Sequence, residues 1–169
     1  GTGIGGGCVM EGKVVRGKNM SCFEIGHFQI SSSGIPCGCG RVGCLETEAS
    51  RLAISAQAAM AAFRGEAPHL LAEAGTDLAE IRSGTLAASI KAGDTIVERI
   101  VRRAAELIGR AVGDIVNLLL PDVIVLGGGL VEAMPEIFVS GVEEAARQRA
   151  APPFAKSFKV AAAKLGDDA

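Results

Sequence analysis

The stretch Cys37-Gly38-Cys39-Gly40-Arg41-Val42-Gly43-Cys44, together with the preceding His27, decides how this sequence is interpreted. It offers three thiols and one imidazole, which is the ligand set of a closed tetrahedral zinc site. The interspersed glycines allow the positive-φ conformations that a backbone folding tightly around an ion requires. The sequence therefore predicts that His27, Cys37, Cys39 and Cys44 bind a structural Zn²⁺ ion.

The alternative interpretation is that these cysteines form two disulfides or are unrelated thiols. Clustered cysteines in an ordinary globular composition, without a secretory signal, favour a metal site over disulfides. Free thiols and the lack of an export signal predict a cytoplasmic protein. Outside the cluster, we expect Cys8 and Cys22 to be small buried hydrophobic residues, and His69 to lie on the surface.

The composition permits a packed core but gives little indication of a partner. Of 169 residues, 49% are apolar, and the net charge of -2 offers no electrostatic attraction to nucleic acid or an anionic membrane. No apolar run reaches the roughly 18 residues that span a bilayer. Because the chain begins without Met and stops after a strand-like run, we expect a fragment truncated at both ends.

The first seven residues, Gly1-Thr2-Gly3-Ile4-Gly5-Gly6-Gly7, match the dinucleotide-binding pattern G-x-G-x-x-G letter for letter. That motif must follow a strand and begin a helix, whereas here a strand at 8–10, a tight turn and a strand at 14–17 are predicted. The glycines better fit a loop whose backbone amides approach an anion such as a nucleotide phosphate. A glycine-rich strand edge remains the alternative.

The middle of the chain is predicted to be a third strand followed by helices. Loose alternation over 23–30 indicates a strand that carries Glu24 and His27, and the alanine-rich run over 47–63 indicates a helix. Shorter helical segments are predicted at 70–74, 78–81 and 85–92.

The longest predicted element is a helix that begins near Thr95 and stops at Pro121, because proline disrupts a continuing helix. Thr95 and Glu98 have the spacing of a capping box. Apolar residues recur at helical spacing around much of the circumference, which predicts a helix packed on more than one side.

The second half of the chain indicates the α/β class. The apolar run over 122–126 predicts a central parallel strand, and it leads into Gly127-Gly128-Gly129 and a helix over 130–150 broken near Met134-Pro135. A further strand is predicted at 158–163. Ligands of such folds bind at the carboxyl ends of strands, so this turn predicts a nucleotide crevice.

Taken together, these motifs resemble the ROK family, which contains bacterial sugar kinases such as glucokinase and sugar-responsive repressors of the NagC/XylR type. The resemblance runs over essentially the whole chain. It is carried by the stretches Gly1–Gly7, Glu24-Ile25-Gly26-His27, Cys37-x-Cys39-Gly40-x-x-Gly43-Cys44-Leu45-Glu46, Ala49-Ser50 and Val123–Gly129.

The resemblance implies an actin-like, ribonuclease H-like ATPase fold of two lobes, with residues 1–169 forming most of the C-terminal lobe and a zinc-binding loop at 27–44. It implies that Glu24, His27 and Glu46 contact sugar hydroxyls, and that the four metal ligands named above bind structural zinc. The nucleotide contacts that it implies are Gly1, Thr2, Gly3, Gly127, Gly128 and Gly129.

The family activity is ATP-dependent phosphorylation of a hexose or N-acetylhexosamine, with Mg²⁺ on the ATP phosphates. The family places the catalytic base, an aspartate, upstream of the Gly1-Thr2-Gly3 turn, so we assign no catalytic residue here. The resemblance also implies a homodimer.

Two alternatives remain. The chain could be the effector domain of a sugar-responsive repressor, whose helix-turn-helix would precede Gly1 and bind DNA. It could also be a zinc-stabilised protein that no longer binds sugar.

Overall fold

The computed structural model describes residues 2–18, 22–32 and 34–164. The predicted nucleotide contact Gly1 lies outside these residues. Strands, helices and one short 3-10 helix follow one another in this order: β1 Val9–Met10, β2 Lys13–Val14, the 3-10 helix Ile25–His27, α1 Leu45–Ala49, α2 Arg51–Phe63, α3 Pro68–Ala74, α4 Ser83–Ala92, α5 Thr95–Leu119, β3 Val123–Leu126, α6 Gly129–Ala133, α7 Pro135–Arg149 and β4 Lys159–Ala162.

The predicted hairpin after the glycine turn is confirmed. Strands β1 and β2 pair antiparallel, with Val9 opposite Val14 and Met10 opposite Lys13. Glu11 and Gly12, the two residues of the turn, both have positive φ, as in the tight turns that match the twist of a hairpin. The glycines at 3–7 therefore lead into a hairpin and not into a helix.

The strand predicted over 23–30 is wrong. Phe23 has a positive φ of 60° and turns the chain, and Ile25–His27 then forms a 3-10 helix. The amides of His27 and Phe28 donate to carbonyls three residues earlier, at 3.0 Å and 3.1 Å. These local bonds satisfy backbone groups that a strand would have directed to a neighbouring strand.

The helix predicted over 47–63 is two helices, α1 and α2. They are separated by Ser50, whose backbone is extended and whose hydroxyl accepts the N–H of Ala53, so that Ser50 caps α2. The short helices α3 and α4 agree with the prediction. The helix predicted at 78–81 is wrong, because the chain forms turns there.

The long helix α5 is confirmed, but its predicted capping box is wrong. The residue before the helix is Asp94, and no side chain caps the helix start. The Asp94 carboxylate is engaged elsewhere, because it accepts the N–H of Leu70 at the start of α3 and the hydroxyl of Ser89 in α4. At the other end α5 stops two residues before Pro121, as predicted.

Strands β3 and β4 pair in parallel, with Val123 opposite Lys159 and Leu126 opposite Ala162. The parallel pairing and the broken helix after Gly127-Gly128-Gly129 are as predicted. The central position predicted for β3 is wrong for the described residues, because β3 pairs with β4 alone and Val125 is 59% exposed.

Helix α5 lies at the centre of the core and packs against α1, α2, α4 and α7. Its glycines let α7 approach closely. A Cβ on Gly109 would stand 2.6 Å from the Val142 carbonyl oxygen, and one on Gly113 would stand 2.5 Å from the Arg149 Cβ. In the part of the chain that the structure describes, no helix is long and apolar enough to cross a bilayer.

Candidate metal centre and the adjoining carboxylate

The loop between the 3-10 helix and α1 is folded on itself by backbone hydrogen bonds. The amide of Cys37 donates to the carbonyl of Arg41 at 2.8 Å, and the amide of Gly40 donates to the carbonyl of Cys37 at 3.0 Å. Gly40 has a φ of 87°, which only glycine adopts without strain. This tight turn places the side chains of Cys37 and Cys39 on the same loop tip.

The remaining two ligands come from the ends of the loop. His27 ends the 3-10 helix, and Cys44 immediately precedes α1. The amide of Leu45 donates to the carbonyl of Phe28 at 2.9 Å, which ties the two ends together. Gly43, with a φ of 70°, packs directly on the Ser31 carbonyl, where any Cβ would collide.

The four predicted metal ligands form a cluster that can hold one ion. One ligand atom from each residue lies within 4.8 Å of all the others. Tetrahedral zinc, with Zn–S bonds of about 2.3 Å and Zn–N bonds of about 2.0–2.1 Å, places two sulfurs about 3.8 Å apart and a sulfur and a nitrogen about 3.6 Å apart. The Sγ atoms of Cys39 and Cys44 are 3.7 Å apart, and Cys37 Sγ is 3.6 Å from His27 Nδ1. These two edges fit a zinc tetrahedron.

Arg41 is a part of this site that the sequence analysis did not single out. A hydrogen bond from the Arg41 backbone, assisted by its side chain, lowers the pKa of Cys39 to about 6. The backbone of Cys39 lowers the pKa of Cys37, but the Glu46 carboxylate, burial and the neighbouring thiols together raise it to about 12. The only signal in the sequence was a cation two residues after a cysteine.

All five cysteines are free, so the disulfide alternative is wrong. Cys8 and Cys22 lie outside the cluster and are half-buried, and the Cys22 thiol donates to the Val15 carbonyl at 3.2 Å. His69 is exposed, as predicted.

Glu46 lies directly beside the cluster, in the first turn of α1. Its Oε1 atom is 3.6 Å from His27 Nδ1 and accepts the Cys37 thiol at 3.1 Å. Its side chain is 25% exposed, so the carboxylate is partly accessible. Glu24 is exposed and immediately precedes the 3-10 helix that ends in His27. The structure thus brings Glu46 to His27 and places Glu24 immediately before the short helix that ends in His27.

The glycine turn at the start of the chain packs on this 3-10 helix. A Cβ on Gly26 would collide with the Ile4 carbonyl oxygen, and one on Gly6 would stand 2.9 Å from the Phe23 carbonyl oxygen. Gly3 in turn faces Glu46, whose Oε2 atom lies 3.1 Å from the position of a Cβ. No local pattern predicts these contacts, because they join segments that are distant along the chain.

A cavity of about 340 Å³ lies between the two glycine turns. Residues 3–7 form part of its wall, and β3 with Gly127 and Gly128 forms another part. Apolar side chains of α5 and α7, together with Ala49, Ser50 and Arg51, also line it. Of the predicted nucleotide contacts, Gly3, Gly127 and Gly128 line this cavity, whereas Thr2 and Gly129 do not.

The sequence model of the ROK family matches residues 1–169. The chain belongs to the ROK family. A glucokinase from Halalkalibacterium halodurans is 34% identical over all of this chain and 51% of its own length. The transcriptional regulator NagC of Escherichia coli K12 is 26% identical over 96% of this chain and 38% of its own length.

Among solved structures, a ROK family glucokinase from Streptomyces griseus, crystallised with glucose and AMPPNP, superimposes with a TM-score of 0.85. It is 28% identical, and the match covers 98% of this chain and 54% of that one. This likeness confirms the predicted α/β class with the actin-like ATPase fold. The ROK chain described here spans about half the length of the curated glucokinase that it matches.

Proposed function

We propose that this chain is the C-terminal lobe of an ATP-dependent sugar kinase of the ROK family, with a hexose or N-acetylhexosamine as substrate. The observation that carries the proposal is the position of Glu46. Its carboxylate adjoins His27 of the metal cluster on one side and Gly3 of the glycine turn on the other. A sugar held at this carboxylate would therefore lie next to the turn proposed to face the nucleotide.

The sugar contacts in this proposal are Glu24, His27 and Glu46. A carboxylate oxygen accepts hydrogen bonds from hydroxyl groups, and bonds to a charged acceptor are stronger than neutral ones. His27 points its Nδ1 atom at the cluster, which leaves Nε2 as the nitrogen available to a sugar hydroxyl. Using the second nitrogen of a ligating histidine in this way fixes the orientation of the ring.

The metal in this proposal is a structural Zn²⁺ held by His27, Cys37, Cys39 and Cys44. Three sulfurs and one nitrogen complete a tetrahedron and leave no open position for substrate, which is typical of structural zinc. The ion would hold the loop that carries both His27 and Glu46, so it would support sugar binding without taking part in the reaction.

The nucleotide contacts in this proposal are the two glycine turns at 1–3 and 127–129, whose backbone would face the phosphates of ATP bound with Mg²⁺. Backbone amides of such turns suit phosphate oxygens. The role of this chain in phosphoryl transfer is to position the two substrates, and the base that accepts the sugar proton is assigned to none of its residues. The proposal includes a homodimer, as the family resemblance implies, and a cytoplasmic location, which agrees with the free cysteines.

The experiment that tests the proposal is a phosphorylation assay with the full-length protein, ATP, Mg²⁺ and either glucose or N-acetylglucosamine. Sugar-dependent ADP release and a sugar phosphate product are expected. Sugar binding without any phosphorylation would contradict the kinase proposal. Absence of sugar binding would contradict the assignment of the sugar site as well.

The second candidate is the effector domain of a sugar-responsive repressor, which the similarity to NagC over 96% of the chain favours. The same sugar contacts would then signal to a DNA-binding segment. Sugar-dependent release of the full-length protein from DNA, with no ADP formed, would select this candidate.

A further inference from the structure

The carboxylate of Glu46 is confined between two walls that come from different parts of the chain. On one side, Oε1 lies 3.1 Å from Cys37 Sγ and 3.6 Å from His27 Nδ1. On the other side, Oε2 lies 3.1 Å from the position that a Cβ on Gly3 would occupy. Glu46 therefore stands closer to residue 3 than a side chain at that position would allow without a shift.

The backbone of Gly3 does not itself require glycine. The φ angle of Gly3 is not positive, so an alanine could adopt the same backbone conformation. A Cβ at 3.1 Å from a carboxylate oxygen is closer than ordinary contact, and the flexible end of Glu46 would have to move by a few tenths of an ångström. What an alanine would change is thus the position of the Glu46 carboxylate.

We propose that Gly3 is a positioning residue for the sugar. By leaving space for Oε2, Gly3 sets where the Glu46 carboxylate stands, so the glycine turn shapes the sugar site in addition to its proposed nucleotide contact. The inference rests on the proposed function, because it takes Glu46 as a sugar contact. A turn that contacted only the nucleotide would have no effect on sugar affinity measured without nucleotide.

The turn offers a matched control for this inference. Gly5 belongs to the same turn, and its φ angle is not positive either. A Cβ on Gly5 would meet nothing within 4 Å. Gly3→Ala and Gly5→Ala therefore make the same chemical change in the same segment. They differ in the contact with Glu46.

The experiment measures binding of glucose and N-acetylglucosamine to the full-length protein by calorimetry, with nucleotide absent. Gly3→Ala is expected to weaken the affinity for the bound sugar by about 3- to 10-fold, the effect of misaligning one hydrogen bond. Gly5→Ala should stay within about two-fold of the wild type. Zinc content should be unchanged in both variants.

A double-mutant cycle with Glu46→Ala isolates the contact. Without the carboxylate, Gly3→Ala should cause no further loss of sugar affinity. If Gly3→Ala lowers the melting temperature, adding Glu46→Ala should restore it, because the colliding atom is gone. No restoration would contradict the inference.

Three other results would overturn it. The first is a sugar affinity of Gly3→Ala equal to that of the wild type. The second is a loss of sugar affinity in Gly5→Ala as large as that in Gly3→Ala. The third is that Gly3→Ala weakens sugar affinity as much in the presence of Glu46→Ala as in the wild type. In each case the wild type binds sugar, so the proposed function would stand. If the wild type bound neither sugar, the proposed function would fail and this inference with it.

Discussion

His27 Nδ1 and Cys37 Sγ lie 3.6 Å apart although ten residues separate them along the chain. On the opposite edge of the same cluster, Cys39 and Cys44 bring their Sγ atoms to 3.7 Å. Both spacings fit a tetrahedral zinc ion. The loop between the 3-10 helix and α1 thus folds into a geometry that suits a metal, and several expectations depend on it.

Removing the metal should destabilise the protein. Because structural zinc contributes folding free energy, chelation or Cys39→Ser should lower the melting temperature by about 5 °C or more, the shift that about 2 kcal/mol produces in a chain of this size. Elemental analysis should find one zinc per chain in the wild type, and thiol titration should find Cys8 and Cys22 reactive.

Cys8→Ser is the matched control, because Cys8 lies outside the cluster. It should retain the zinc and the melting temperature of the wild type. An unchanged melting curve after demonstrated loss of metal would contradict a structural role for the ion.

Replacing the Glu46 carboxylate should weaken sugar binding and spare the metal. A hydrogen bond to a charged group contributes about 1.5–3 kcal/mol, so Glu46→Gln should weaken sugar affinity by about 10- to 100-fold. Calorimetry on the full-length protein measures the affinity, and elemental analysis should show unchanged zinc. Glu73→Gln, an exposed residue of α3, is the control and should bind sugar normally. Equal affinities in the wild type and Glu46→Gln would remove Glu46 from the site.

The elements that could be predicted from the sequence are those set by local pattern. The predicted metal ligands are close together along the chain, and the periodicity of α5 and the position of Pro121 are visible without a structure. The 3-10 helix at Ile25–His27 was missed because the loose alternation over 23–30 indicated a strand, and the packing of Gly26 on Ile4 is visible in no local pattern. The contact of Glu46 with Gly3 was missed for the same reason.

A further error concerns the start of α5, where Thr95 and Glu98 have the spacing of a capping box that does not form. Asp94 precedes the helix instead, and its carboxylate serves the amide of Leu70, which lies 24 residues earlier. The central strand predicted at β3 failed differently. Its apolar residues indicate a strand with neighbours on both edges and cover on both faces. In the part of the chain that the structure describes, β3 has β4 as a neighbour on one edge only.

Gly109 should be intolerant of a side chain because α5 and α7 meet there. A Cβ at this position would lie 2.6 Å from both Ala145 Cβ and the Val142 carbonyl oxygen, so the helices would have to separate. Overpacking of this kind costs about 1–3 kcal/mol, which urea unfolding of Gly109→Ala should reveal. Gly84→Ala in α4 is the control, because a Cβ there meets nothing within 4 Å. It should be neutral or stabilising by up to about 1 kcal/mol. Equal stability of the two variants would contradict the close approach.

Asp94 should contribute stability that depends on pH. Its side chain is buried, and the hydroxyl of Ser89 and the amides of Leu70 and His69 donate to it at 2.7, 2.8 and 3.3 Å. Burial raises the pKa of Asp94, but these hydrogen bonds outweigh it and hold that pKa below its ordinary value of 3.8. Asp94→Asn should therefore lower the free energy of unfolding at pH 7 by about 1–3 kcal/mol, because one acceptor oxygen is lost.

The sign of the pH dependence follows from the lowered pKa of Asp94. A carboxyl group whose pKa is lower in the folded state stabilises the fold above its unfolded pKa, and this contribution disappears as the pH falls through the folded value. The difference in unfolding free energy between the wild type and Asp94→Asn should thus be constant from pH 7 to about 5 and shrink below about pH 3.8. Urea titrations at pH 7, 5 and 3 measure this difference. Asp122 is an exposed residue before β3, and Asp122→Asn is the control, which should change the unfolding free energy by less than about 0.5 kcal/mol. Acid also protonates the proposed zinc ligands in every variant, so only the difference between variants reports on Asp94. A difference that persisted undiminished at pH 3 would contradict a stabilising carboxylate.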